Sequence, residues 1–287
     1  MTRETKGRRK DAAEEERDRI LSEAVIRIKE KKFAEAERLL KPLLPDEDSI
    51  GEDETHLYLS FNEPIEEIYY RFRFKPGREI GRHSCAVGRT FLTYAYLLIQ
   101  KREFDEALRV LGRGLRHNPI DTGLLFEEAE IFKIRRDWAV FRKITDLCLS
   151  YACQSPGIAR AYRNYGYMFA EQGDYEGAAC CYLLSREYEE HALARGQLQR
   201  IARLTGREID ERYYHEHFRG ILEERKIQVG PSKDLLNIAG TFASNCEEDG
   251  DYPAACYFYN ILFDLTRDGK IEKKLADLKV MMAKPKH

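Results

Sequence analysis

The chain has 287 residues, 48 of them Lys or Arg and 50 Asp or Glu, for a formal net charge of −2 with 34% of positions charged. That balance argues against a dedicated nucleic-acid binder, which rests on a net basic footprint. Hydrophobic residues at 43% and aromatics at 11% exclude disorder of the whole chain. No apolar run approaches the ~20 residues that span a bilayer. The first residues lack the apolar segment of a secretory signal. Seven cysteines, an odd number with no Cys-x-x-Cys, suit a reducing compartment better than a disulfide framework. The expectation is a cytoplasmic protein that neither contacts a membrane nor binds nucleic acid.

In chain order, residues 1–14 read as a charged tail, basic at Arg3, Lys6, Arg8, Arg9 and Lys10, then acidic from Asp11. Beyond it proline is scarce and apolar residues recur at spacings of three and four, which predicts helices. A pattern then repeats: a small residue, an aromatic nine positions later, and alanine three beyond that. It occurs as Ala24, Phe33, Ala36, then as Ala95, Phe104, Ala107 and as Gly166, Tyr175, Ala178, and finally as Ala243, Tyr252, Ala255. A partial copy has Ala129 and Trp138 but Phe141 in place of the second alanine. The expected hairpins are 15–48, 85–121, 122–158 (divergent), 159–192 and 231–268, with a capping helix and tail at 269–287. Residues 193–230 read as a divergent helical hairpin broken at Thr205-Gly206. Residues 49–84 fit a short strand, an irregular excursion or a divergent hairpin, with a helix start at Asn62 and Pro64 and an alternating Tyr70–Phe74.

Small residues at both sites let two helices approach to about 8–10 Å between axes. Gly173-Asp174 and Gly250-Asp251 supply the turns, since glycine tolerates a left-handed conformation and aspartate caps the next helix. A lone hairpin leaves an apolar face exposed, so neighbours must stack.

These residues resemble the tetratricopeptide repeat family. The match is clearest in Phe91, Tyr94, Ala95, Leu98, Phe104, Ala107, Leu111, Gly114 and Pro119. It recurs in Tyr162, Tyr165, Gly166, Gly173, Asp174, Tyr175, Ala178 and Tyr182. The resemblance implies an all-α, right-handed superhelical solenoid of stacked hairpins whose first helices line a groove. By that resemblance the peptide-binding residues are Arg89, Tyr96, Phe126, Glu127, Glu130, Arg160, Arg163, Asn164 and Tyr167. Arg160, Arg163 and Asn164 would hold an acidic group of a protein or peptide, with the tyrosines packing its apolar parts. The competing reading pairs these arginines with Glu127 and Glu130 on the neighbouring helix. Leu92 and Tyr96 replace the Lys and Asn of chaperone-binding members, against a chaperone-tail adaptor.

No cofactor is implied. Gly269-Lys270-Ile271 lacks the hydroxyl of a phosphate loop, and no Gly-x-Ser-x-Gly elbow occurs. His215 and His217, two apart on a helix, diverge by about 200° and cannot share one ion. Glu211 and His215 are spaced for a local ion pair. Cys148, Cys180, Cys181, Cys246 and Cys256 read as small hydrophobes between helices, one of the adjacent pair pointing outward. The leading expectation is a non-enzymatic protein- or peptide-binding scaffold. The alternative is a receptor for a short signalling peptide that regulates another protein. Enzyme activity would need a cleft with paired, perturbed carboxylates near 49–84.

Overall fold

The computed structural model describes residues 3–45, 54–82 and 86–283. The sequence-predicted features at residues 49–53, 83–84 and 284–287 lie outside the described residues. Of the described residues 77% are helical, with consecutive helices packed on one another. It divides into two units, residues 1–137 and 138–287.

The first unit contains α1 (Arg3–Lys29), α2 (Phe33–Leu40), α3 (Pro64–Phe74), α4 (Ala86–Gln100), α5 (Phe104–His117) and α6 (Thr122–Arg135). Helices α1 and α2 form a hairpin that packs on α4, which pairs with α5; α6 packs on both α4 and α5. Ala24, Ala36, Ala95 and Ala107 are fully buried at the helix crossings, beside Phe91, Leu97, Leu98 and Leu111. Each buried Leu or Phe contributes about 1.5–3 kcal/mol, so stacking outweighs the exposed ion pairs at about 0.2–1 kcal/mol each. Lys101 donates to Glu37 at 2.9 Å and also pairs with Glu103. Hydrogen bonds from Lys41 and Lys101 hold the Glu37 carboxyl down at about 2.

The departure from an all-helical chain falls in 49–84. Strands β1 (His56–Leu59) and β2 (Glu79–Arg82) pair in parallel, with His56 opposite Glu79 and Leu59 opposite Arg82, and α3 is the crossover between them. Pro64 lies in the first turn of α3, where its missing N–H would be unpaired in any case. The alternation Tyr70–Phe74 is therefore helix rather than strand. Its aromatics stack along the helix, Tyr70 on Phe74 with centroids 4.8 Å apart, and Phe61 lies 5.4 Å from Tyr70.

The second unit comprises α7 (Trp138–Tyr151), α8 (Ser155–Glu171), α9 (Tyr175–Tyr188), α10 (Ala192–Thr205), α11 (Glu211–Glu224), α12 (Lys233–Glu248), α13 (Tyr252–Thr266) and α14 (Gly269–Ala283). α8–α9 and α12–α13 are close hairpins, and α14 packs on α13. At Gly166 a Cβ would stand 3.0 Å from two ring carbons of Tyr182, so only glycine permits this approach without a shift. Helices α10 and α11 each pack on α9. With α8, α10 and α11 around it, α9 buries Cys180 and Cys181 alike, so neither points outward. Burial pushes the Cys180 thiol up to about 12 and Cys181 well above its ordinary range, which disfavours the reactive thiolate.

The five turns share one geometry. The residue two positions before each aromatic has positive φ: Lys31 at 62°, Arg102 at 63°, Arg136 at 57°, Gly173 at 81° and Gly250 at 76°. Asp174 and Asp251 then cap the following helices by accepting the N–H of Gly177 at 3.0 Å and of Ala254 at 3.2 Å.

Candidate functional site

The nine groove residues expected from the sequence fall into both units. In the first, the Arg89 guanidinium pairs with Asp18 of α1 at 2.7 Å. Tyr96 and Glu127 are half-buried, Phe126 is buried, and Glu130 pairs with Lys133 one turn along α6. Phe126 thus serves packing, and two of the charged side chains already have partners within the unit.

In the second unit, Arg160, Arg163, Asn164 and Tyr167 lie at spacings of three, four and seven along α8, which aligns them on one face. All four are half-buried. The Arg163 side chain, 13% exposed, pairs with Glu189 at 2.8 Å, just past the end of α9. The carboxylate on Arg163 thus comes from the end of its own hairpin, not from Glu127 or Glu130. Tyr167 lies beside the only tryptophan, Trp138, with ring centroids 6.1 Å apart. Asn164 and Tyr167, preceded along α8 by Arg160 and Arg163, make a stripe able to hydrogen-bond and cover an extended segment.

A recess of about 520 Å³ between α9 and α11 was not foreseen from the sequence. Leu183, Leu184, Tyr214 and Phe218 line it, with Arg186, Glu187 and Glu211 among its charged residues. Glu211 accepts from Arg186 at 2.7 Å rather than pairing with His215, which instead lies 3.8 Å from Glu187. His217 stacks on Tyr213 at 4.5 Å. Sequence periodicity gives no signal for this recess because it lies between helices that are not sequence neighbours.

A second feature hidden from the sequence is the polar mount of the β1–α3–β2 segment. Oε2 of Glu66 accepts the Asn62 backbone N–H and the Asn118 side-chain amide, both at 2.9 Å. The Asn62 amide donates to Asp121 at 2.9 Å, and the Ser60 N–H to the His117 carbonyl at 2.8 Å. Asp121 also caps α6 through the Leu124 N–H. Burial pushes the Glu66 carboxyl up to about 7, the Asn62 and Asn118 hydrogen bonds opposing it and the charge of Asp121 reinforcing it. A perturbed acid beside a second carboxylate is the arrangement an enzyme reading would require. Here, however, the described contacts use both groups to fasten one segment to another.

A linker after α11 is tied down in the same manner. The Arg225 guanidinium grips Asp174 with two hydrogen bonds, at 2.6 and 2.7 Å, and reaches Glu176 at 3.1 Å. The Tyr162 hydroxyl accepts the Gly230 N–H at 2.7 Å and donates to the Gln228 carbonyl at 3.2 Å. Among the described residues, no group of three His, Cys, Asp or Glu is placed to hold a metal ion, and no helix is long and apolar enough to cross a membrane. No protein-family model matches the chain, and no curated protein matches it either.

Proposed function

We propose that the chain is a non-enzymatic repeat protein of tetratricopeptide type that holds an extended segment of another protein or peptide against the first helices of its hairpins. The observation that carries this reading is the α8 stripe: Arg160, Asn164 and Tyr167 on one face of a helix that packs closely on α9. A rigid helix presenting an aromatic, an amide and a guanidinium has the composition of a binding hot spot. Glu189 already engages Arg163.

The test is a peptide array of acidic–aromatic sequences probed with the full chain, followed by Arg160→Glu with Tyr167→Ala. Peptides selected by the native chain should bind the variant at least about tenfold more weakly, equivalent to ~1.4 kcal/mol, at unchanged helicity and melting temperature. Equal binding by both proteins would refute the role of α8.

A further inference from the structure

The last turn of α3 is largely exposed. Arg71, Phe72, Arg73, Phe74 and Lys75 are all exposed in succession, Phe72 by 51% and Phe74 by 45%. A helix lying on a protein surface would bury every third or fourth residue, so five exposed positions in a row mean that this end projects. With Arg78 in the loop that follows, four cationic residues fall within eight positions, in a chain of net charge −2. Part of this has a structural explanation. Glu66 and Glu67 in the first turn and arginines in the last suit the helix macrodipole, and Arg71 is paired with Glu67 at 3.0 Å. Neither accounts for two exposed phenylalanines interleaved with the bases.

The placement of those rings decides between partners. Positions 72 and 74 are about 200° apart around a helix, so the two rings face opposite ways and cannot both meet one flat protein surface. One face of Phe74 is already covered by Tyr70, which removes half of a base-stacking platform. A medium that surrounds the tip can take up both rings at once, and the lipid–water interface is such a medium: aromatic rings enter the acyl boundary while Arg and Lys reach the headgroups. Anionic headgroups complement the local positive charge.

We propose that the projecting end of α3 is a peripheral membrane anchor, with Phe72 and Phe74 entering the interface and Arg71, Arg73, Lys75 and Arg78 holding anionic lipid headgroups. This departs from the expectation of no membrane partner. The polar mount at Glu66 and Asn118 fixes the base of the anchor to the first unit.

The test is flotation of the full chain with vesicles of phosphatidylcholine alone and with vesicles of phosphatidylcholine and phosphatidylserine in equal parts. The native chain should partition onto the mixed vesicles and only weakly onto the neutral ones. Arg73→Gln with Lys75→Gln should lower partitioning about fivefold for each charge removed. Phe72→Ser, which leaves the Tyr70–Phe74 stack in place, should weaken binding while the melting temperature stays unchanged. The lysine-rich α14 also exposes Met281 and Met282, by 46% and 41%, so Met281→Ser with Met282→Ser is the control and should bind as the native chain does. Equal binding to both vesicle types, native-like binding by the α3 variants, or loss confined to the α14 variant would each overturn the proposal. Binding of an acidic protein through the same residues without vesicle binding would also overturn it.

Discussion

The α8–α9 hairpin and the β1–α3–β2 segment are held by different mixtures of packing and hydrogen bonding. The hairpin rests on apolar close approach, with Ala159, Gly166, Ala178 and Ala179 at the crossing and Tyr162, Tyr165 and Tyr182 filled in around them. The β1–α3–β2 segment also buries Leu59, Ile65 and Tyr69, but adds hydrogen bonds between residues more than fifty positions apart, around one buried carboxyl group. Close packing depends on volume and ignores pH. The polar mount depends on protonation as well.

The largest expected effect separates these two regimes by pH. The carboxyl group of Glu66 is raised to about 7 in the folded chain. The folded state therefore binds more protons than the unfolded one between about 4.5 and 7. The stability that this group contributes is complete below about 4.5 and is lost as pH rises through about 7, a decline of about 3 kcal/mol. Hydrogen exchange of residues 56–82 should quicken across that window beyond its intrinsic pH dependence, and Glu66→Gln should abolish the excess. The fluorescence of Trp138, in the other unit, should report no such change. Asn118→Leu removes a hydrogen bond that favours the ionised form, so the window should move to higher pH.

Next in size is a volume test of the hairpin. Gly166→Leu forces a side chain into the Tyr182 ring and should cost about 1–3 kcal/mol in urea unfolding. Gly196→Leu in α10, where a Cβ meets nothing within 4 Å, should cost nothing and gain helix propensity. Equal losses at both positions would show that the close approach at Gly166 does not govern stability. The smallest effect concerns the turns. Arg102 holds φ at 63° where two sister turns have glycine, so Arg102→Gly should raise stability by up to about 1 kcal/mol, read as a higher melting temperature.

The same contrast explains what the sequence disclosed. Repeats were legible because close packing demands small residues at fixed intervals, and Ala95, Ala107, Gly166 and Ala178 stand at those intervals. The turns were legible where glycine marks them, at 173 and 250, and not at Lys31, Arg102 or Arg136, whose side chains conceal the same backbone. The strands at 56–59 and 79–82 were obscured because four-residue strands carry little periodic signal, and the Glu66–Asn118 contact has no periodic signal at all. Of the expected groove residues, α8 brings four onto one face. The partners of Arg89 and Arg163, Asp18 and Glu189, are tertiary facts that spacing along one helix does not encode.

The first turn of α8 receives its cap from far along the chain. The Ser155 N–H donates to the Asp264 carboxylate at 2.7 Å, and its hydroxyl to the Asp264 carbonyl at 2.6 Å, across 109 positions. In an open spring of repeats each coil meets only its neighbours and the free end can fray first. Here the last hairpin is buckled to an early helix, so the C-terminal coils cannot peel away without uncapping α8. The second unit should therefore melt as one cooperative block.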